Sequence, residues 1–126
     1  MTATDRAIEL ATIAARAAEE KLASSIVALD VSGQMPLTDI FVIVSADNER
    51  QVAAMVEEIE DQLREKGEVK PLRREGDKDA RWVLLDFGEI VVHAQHDDER
   101  EYYELARLWK DCPVIGLGVS GRPDAP

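Results

Sequence analysis

Two apolar runs in the second half of the chain are separated by a short polar turn. The first run spans residues 82–85, the turn spans 86–89, and the second run spans 90–94. Runs rich in β-branched and aromatic residues on either side of a glycine-containing turn are typical of a β-hairpin. Because both runs are almost continuously apolar, we expect two central strands that are covered on both faces.

After the hairpin the pattern changes to a helical period. Asp98 and Glu101 have the spacing of an N-cap residue and its N3 partner. The apolar residues that follow recur at helical spacing, and they are Tyr102, Leu105, Ala106 and Trp109. Pro113 ends this predicted helix.

The first half of the chain predicts two helices and two more strands. Residues 4–23 are rich in alanine and lack glycine and proline, which predicts a helix that begins at Thr4. Apolar runs at 26–31 and 40–44 predict strands. A second helix, capped by Asp47 or Asn48 and ended by Gly67, is predicted from a buried stripe made of Val52, Met55, Val56, Ile59 and Leu63.

The remaining segments complete the predicted topology. Residues 69–72 predict a short strand, and 73–79 predict a polar mobile loop. The order is then α-β-β-α-β-β-β-α, an α/β (α+β) fold in which helices pack on a mixed β-sheet of about five strands. We expect one domain over residues 1–115 and a flexible C-terminal tail, rich in glycine and proline, over 116–126.

Charge limits the kinds of partner that the chain can bind. Fifteen Lys and Arg against 26 Asp and Glu leave a formal net charge of −11. Nucleic acids and anionic lipids should repel such a chain, so we expect little direct RNA contact, no membrane contact and a basic protein partner. No apolar run reaches the roughly 18 residues of a membrane span, and no signal sequence is seen, so we expect a cytoplasmic protein.

Cysteine and histidine can form catalytic or metal-binding sites, but a simpler structural role is expected for each of them here. The single cysteine, Cys112, cannot form an internal disulfide, and we expect it to pack. His93 and His96 form an H-x-x-H pattern, but zinc requires three or four ligands that face one point. We place His93 on a strand and His96 in the following turn, and we expect neither a metal nor a cofactor.

Several motifs, in one order and spacing, resemble the bacterial ribosomal silencing factors, relatives of the plant protein called iojap. They are LDVS, LTDIFVIVS, NERQV, WVLLDFG followed by VVH, and REYYEL-x-RLW-x-D-x-P, and together they extend from about residue 8 to 113. The sequence departs from the family pattern modestly. Phe87 and Glu89 stand where Tyr and Asp are common, and Gln95 replaces a usual apolar residue, which weakens the case that the second hairpin strand is buried to its end.

The resemblance implies a function that needs no catalytic residue. Such a factor binds the large ribosomal subunit through its protein fourteen, on the face that meets the small subunit, and thereby prevents the subunits from joining. Translation then falls when nutrients run short. Some members are thought to dimerise, so a homodimer off the ribosome, or a homodimeric scaffold, stays open as an alternative.

A nucleotidyltransferase-like enzyme is the other alternative. The resemblance implies a fold similar to nucleotidyltransferases, and Asp30, Asp39 and Asp86 lie at or beside predicted strands. Two-metal phosphoryl transfer uses clustered carboxylates of this kind. However, the chain has no Gly-Ser phosphate-binding turn ahead of an Asp-x-Asp pair and no P-loop, so we do not expect catalysis.

The hairpin is therefore the predicted partner-binding surface. Tryptophan is enriched in interface hot spots, and Trp82 shares its strand face with Leu84 and Asp86. An aromatic anchor with carboxylates around it, among them Asp77 and Asp79, would suit a basic protein. The predicted contact residues are Trp82, Leu84, Asp86, Phe87, Gly88 and Glu89, with Tyr102, Tyr103 and Arg107 as weaker candidates.

Overall fold

The chain is seen in a computed structural model that describes residues 2–76, 81–97 and 111–118. Within these ranges it forms two helices and six strands, an α+β fold as predicted. In chain order the elements are α1 (Asp5–Glu20), β1 (Ser25–Asp30), β2 (Ile40–Ala46), α2 (Glu49–Lys66), β3 (Arg73–Gly76), β4 (Trp82–Asp86), β5 (Ile90–His96) and β6 (Val114–Ile115).

The strands form one mixed sheet in the order β3-β4-β5-β2-β1-β6. β2 and β5 run parallel at the centre, and the other neighbouring pairs are antiparallel. The predicted hairpin of β4 and β5 is confirmed, and both of its strands lie inside the sheet rather than at its edge.

Both helices begin where local chemistry predicts, and α2 also ends at the predicted residue. The Thr4 hydroxyl accepts a hydrogen bond from the backbone N–H of Ala7, and the Asn48 side chain accepts one from Gln51. Such side chains satisfy N–H groups that have no partner inside the first turn of a helix. Gly67 ends α2 where α1 passes close, since a Cβ atom there would lie 2.8 Å from Cδ2 of Leu10.

The sheet has two faces with different cover. The helix face is the one that packs against the alanine-rich side of α1 and the apolar stripe of α2. The second face is the opposite one, and it carries a smaller apolar cluster of Val27, Leu29, Val31, Phe41, Ile43, Val91 and Cys112, with Leu84 at its margin. Residues alternate between the two faces along each strand, as the period of two requires.

Four local predictions were wrong. The short strand is β3, at Arg73–Gly76, in the segment predicted to be a loop, and not at 69–72. β6 was not predicted at all. The prediction that β4 is buried on both of its faces is wrong, because buried and half-buried positions alternate along this strand. His96 belongs to β5 and not to a turn, and Gln95 beside it is fully buried.

Two of these errors share a physical cause, because β3 and β6 form through backbone pairing with another strand. β3 is composed of charged residues and glycine, and its backbone pairs with β4, which a hydrophobic pattern cannot reveal. The helix predicted after Asp98 lies almost entirely outside the described residues, as do residues 119–126 of the predicted tail.

Candidate docking surface

The register of the hairpin determines which side chains share a face. Trp82 lies opposite Gln95, and Leu84 lies opposite His93 in the antiparallel pair of β4 and β5. Trp82, Leu84 and Asp86 are all half-buried, whereas Val83 and Leu85 between them are buried in the helix-face core. The predicted grouping of Trp82, Leu84 and Asp86 on one face is therefore confirmed, and that face is the second face.

The Trp82 indole stacks on a buried histidine ring. The ring centroids of Trp82 and His93 are 6.1 Å apart, and their planes differ by only 10°. His93 in turn meets Phe41 at 4.9 Å, with the rings tilted by 58°. Offset and tilted aromatic pairs of this kind are favourable. Trp82 thus packs against His93, and the residue as a whole is half-buried.

His93 is buried as a neutral side chain. It is 5% exposed, and burial lowers the pKa of its imidazole from 6.5 to about 4. Neither of its ring nitrogens, and neither polar atom of the Gln95 carboxamide, has a hydrogen-bond partner within the part of the chain that the structure describes. Polar groups that are buried in this way are uncommon in folded proteins.

The turn of the hairpin places acidic and apolar groups at one tip. Oδ1 of Asp86 accepts a hydrogen bond of 2.8 Å from the backbone N–H of Gly88. Gly88 has a φ of 88°, which favours glycine, and Glu89 beside it is exposed. Its carboxylate adds negative charge at this end of the surface.

Leu72 joins this tip, and sequence reasoning missed it. Its side chain is 77% exposed, its N–H donates to the carbonyl of Asp86 at 2.7 Å, and a Cβ on Gly88 would lie 3.4 Å from its Cδ1. The signal available in the sequence was weak, since Leu72 is a lone apolar residue between Pro71 and a charged run.

The edge strand beside the hairpin is covered by charged side chains. All four residues of β3 are exposed. Arg73 contacts Glu75 at 2.9 Å and lies 3.9 Å from Asp86, with all three groups on the second-face side of their strands. The Asp86 carboxylate is therefore only partly compensated.

Not every predicted contact residue lies on this surface. The Phe87 side chain is 6% exposed and packs in the helix-face core, so the prediction that it makes contact is corrected. Phe87 continues the alternation of β4 and lies on the same side as Val83 and Leu85, and its N–H donates to the carbonyl of Ile90 at 3.0 Å. Tyr102, Tyr103 and Arg107, like Asp77 and Asp79, lie outside the described residues.

The carboxylates considered for nucleotidyl transfer have structural roles. Asp30 accepts a hydrogen bond from the N–H of Ala3, and Asp39 accepts one from the N–H of Thr4, both at 2.9 Å. They hold the chain that leads into α1. Burial acts to raise the pKa of Asp30, but hydrogen bonds from Ser32 and Ala3 outweigh it and leave the pKa lowered. Asp86 caps the hairpin turn.

The histidines and the cysteine are not arranged around one point. His93 and His96 are three residues apart on β5, so their side chains project from opposite faces of the sheet. Cys112 is buried in the second-face cluster, where burial raises the pKa of its thiol. Within residues 2–76, 81–97 and 111–118 no three His, Cys, Asp or Glu side chains are placed to share a metal ion.

None of the helices described is long and apolar enough to cross a membrane.

Comparison with known proteins gives a consistent family. The family model "Ribosomal silencing factor during starvation" matches residues 4–125. The ribosomal silencing factor RsfS of Bacillus subtilis (strain 168) is 45% identical over 105 residues, which cover 83% of this chain and 88% of that protein.

A mitochondrial protein and a solved structure extend this similarity. The Mus musculus protein named mitochondrial assembly of ribosomal large subunit protein 1 is 36% identical over 89 residues, which cover 69% of this chain and 39% of that protein. A crystal structure from Bacillus halodurans aligns with a TM-score of 0.73 and 40% identity over 86% of this chain and 97% of its own. With a family model matched over nearly its whole length, the chain belongs to the ribosomal silencing factor family.

Proposed function

We propose that this protein binds the large ribosomal subunit through the basic protein fourteen and blocks the joining of the small subunit. The observation that carries the proposal is the half-buried Trp82, stacked on His93, on a strand face that also carries Leu84 and ends at the carboxylates of the hairpin tip. We call this set the hairpin surface, and it consists of Leu72, Trp82, Leu84, Asp86, Gly88 and Glu89.

The chemistry of the hairpin surface fits a basic protein. An aromatic anchor with apolar neighbours provides the desolvated centre that interface hot spots require. Asp86 and Glu89 lie at its margin, where charges act mainly on the rate of encounter and on orientation. The net charge of −11 disfavours direct binding to ribosomal RNA.

The proposed mechanism is steric exclusion, so no chemical step is involved. A partner that occupies the joining face of the large subunit prevents the small subunit from approaching, and translation is repressed while it stays bound. The action would take place in the cytoplasm. Support for the large subunit comes from the name of the mouse relative, which refers to assembly of that subunit.

Subunit joining, followed by light scattering, tests the proposal. Purified large subunits are incubated with the wild-type protein, with Trp82→Ala or with Leu22→Ala, and small subunits are then added. Leu22 is a matched control because it is an apolar side chain, 78% exposed, that lies just after the C-cap residue of α1. We expect suppression by the wild type and by Leu22→Ala, and loss of suppression with folded Trp82→Ala.

Normal joining in the presence of folded wild-type protein would contradict the proposed function. Suppression that persists with Trp82→Ala would keep the function but remove Trp82 as its anchor. Circular dichroism of each variant separates loss of binding from loss of folding.

A further inference from the structure

Buried polar atoms beside Trp82 are the least expected feature of the described residues. Nδ1 and Nε2 of His93, and Oε1 and Nε2 of Gln95, are buried without hydrogen-bond partners among the described residues. His93 is 5% exposed and Gln95 is 0% exposed. Leaving such groups unpaired destabilises the folded state, because each has lost its hydrogen bonds to water. An apolar pair of the same size would fill the space without that penalty.

The two side chains form one unit on the second face. They are two residues apart on β5, so they project from the same side of the sheet. Trp82 lies opposite Gln95 in the register, and its indole stacks on the His93 ring. The hydroxyls of Ser25 and Ser45 on the same face are, by contrast, hydrogen-bonded to each other at 2.8 Å. The unpaired atoms of His93 and Gln95 therefore lie beside the proposed anchor.

We propose that Trp82 is a movable cover over a recognition pair, His93 and Gln95, which hydrogen-bonds a backbone peptide group of the docked partner once the indole turns outward. The inference rests on the proposed function, because it adds two hydrogen-bonding residues, His93 and Gln95, to the hairpin surface. In the free protein the pair is closed off. In the complex, the indole packs against the partner and the pair gains the hydrogen bonds that it lacks.

The chemistry of the pair selects a neutral ligand. A neutral imidazole offers one donor and one acceptor, and a carboxamide offers two donors and one acceptor. Burial lowers the pKa of His93 to about 4, so the ring carries no charge near neutral pH with which to attract a phosphate or a carboxylate. A peptide group presents both an N–H and a carbonyl, and its burial requires both to be satisfied. Backbone from a loop or strand of a partner protein meets this requirement.

The inference predicts opposite effects of one substitution on stability and on binding. Replacing a group that is unpaired in the free protein but paired in the complex should leave stability unchanged or raise it, while affinity falls. A pair that is satisfied in the free protein, for example by buried water, should behave in the reverse way.

The experiment compares Gln95→Met and His93→Phe, which preserve size and, for His93, the aromatic stack. For each variant we measure the urea midpoint of unfolding and the dissociation constant for purified large ribosomal subunits. We expect midpoints equal to or above that of the wild type and an affinity at least tenfold weaker. Ser45→Ala is the control on the same face, since it removes a hydroxyl that is already paired, and it should lower the midpoint without changing affinity.

Each other outcome overturns the inference. Lower midpoints with wild-type affinity would show that the pair is structural. Unchanged affinity with unchanged midpoints would show that the pair takes no part in docking. If His93→Phe does not fold, Gln95→Met decides alone, because it leaves the stack in place. Failure of the wild type to bind large subunits would overturn the proposed function as well, whereas wild-type binding with unaffected variants removes this inference only.

Discussion

The two faces of the sheet differ in the types of residue that are buried on them. On the helix face, alanines of α1 and the apolar stripe of α2 close over buried apolar residues of the strands. On the second face, around the hairpin, the buried set includes His93 and Gln95 with unpaired atoms, and Trp82 and Leu84 stay partly accessible. The helix face is thus suited to stability alone. The second face gives up some stability, which is typical of a surface that recognises a partner.

The largest expected effect is a loss of stability caused by a substitution on the helix face. Ile59 on α2 is fully buried in the main cluster. Truncation of such a side chain removes its burial and leaves a cavity, so Ile59→Ala should lower the free energy of unfolding by about 3 to 4 kcal/mol. Urea denaturation measures this loss. Binding by the fraction that remains folded should not change, and a large fall in its affinity would break the division between the two faces.

The next effect concerns pH and the second face. His93 titrates at about 4 in the folded protein and at about 6.5 in the unfolded chain. Between these values only the unfolded chain takes up the proton, so stability falls as pH is lowered through this window, by about 3 kcal/mol in total. Urea midpoints of the wild type and of His93→Phe, measured from pH 7 to pH 4, should diverge with the wild type losing more. If the midpoints of the two proteins fell equally with pH, the assignment of this pH dependence to His93 would be wrong.

Trp82→Ala should change the binding free energy by less than the stability changes described above. It should nevertheless have the largest effect on function. If the indole is a hot spot, Trp82→Ala should cost about 2 kcal/mol of binding, or about thirtyfold in affinity for the large subunit. Its cost in stability should be below that of Ile59→Ala because the ring is only half-buried. Titration calorimetry gives the first value and urea denaturation the second. A loss of folding by circular dichroism would instead assign Trp82 to the core.

The smallest effect sharpens the role of charge. Exposed rim charges contribute little to affinity, so Glu89→Gln should weaken binding by less than about 1 kcal/mol. Affinity of the wild type should nevertheless decrease as salt is raised, because the partner is expected to be basic. Glu89→Gln should show a shallower salt dependence. A dissociation constant that does not respond to salt would count against the electrostatic part of the proposal.

Much of the fold could be read from local patterns. Thr4 and Asn48 cap the two helices, Gly67 ends the second, and the hairpin turn lies where glycine and aspartate predicted it. Each of these features depends on residues that are close in sequence, so the signal is contained in a short window. The grouping of Trp82, Leu84 and Asp86 on one face followed in the same way from the period of a strand.

The hydrophobic and polar pattern by itself determined helices α1 and α2, the strands β1 and β2, the hairpin of β4 and β5, and the strand face on which Trp82 lies. Only the tertiary structure decided that β3 lies where a loop was expected, that Leu72 reaches the hairpin tip and that His93 stacks on Trp82. The physical reason is that these features depend on contacts between different elements. Backbone pairing and ring stacking across strands follow from register, which no single stretch of sequence contains.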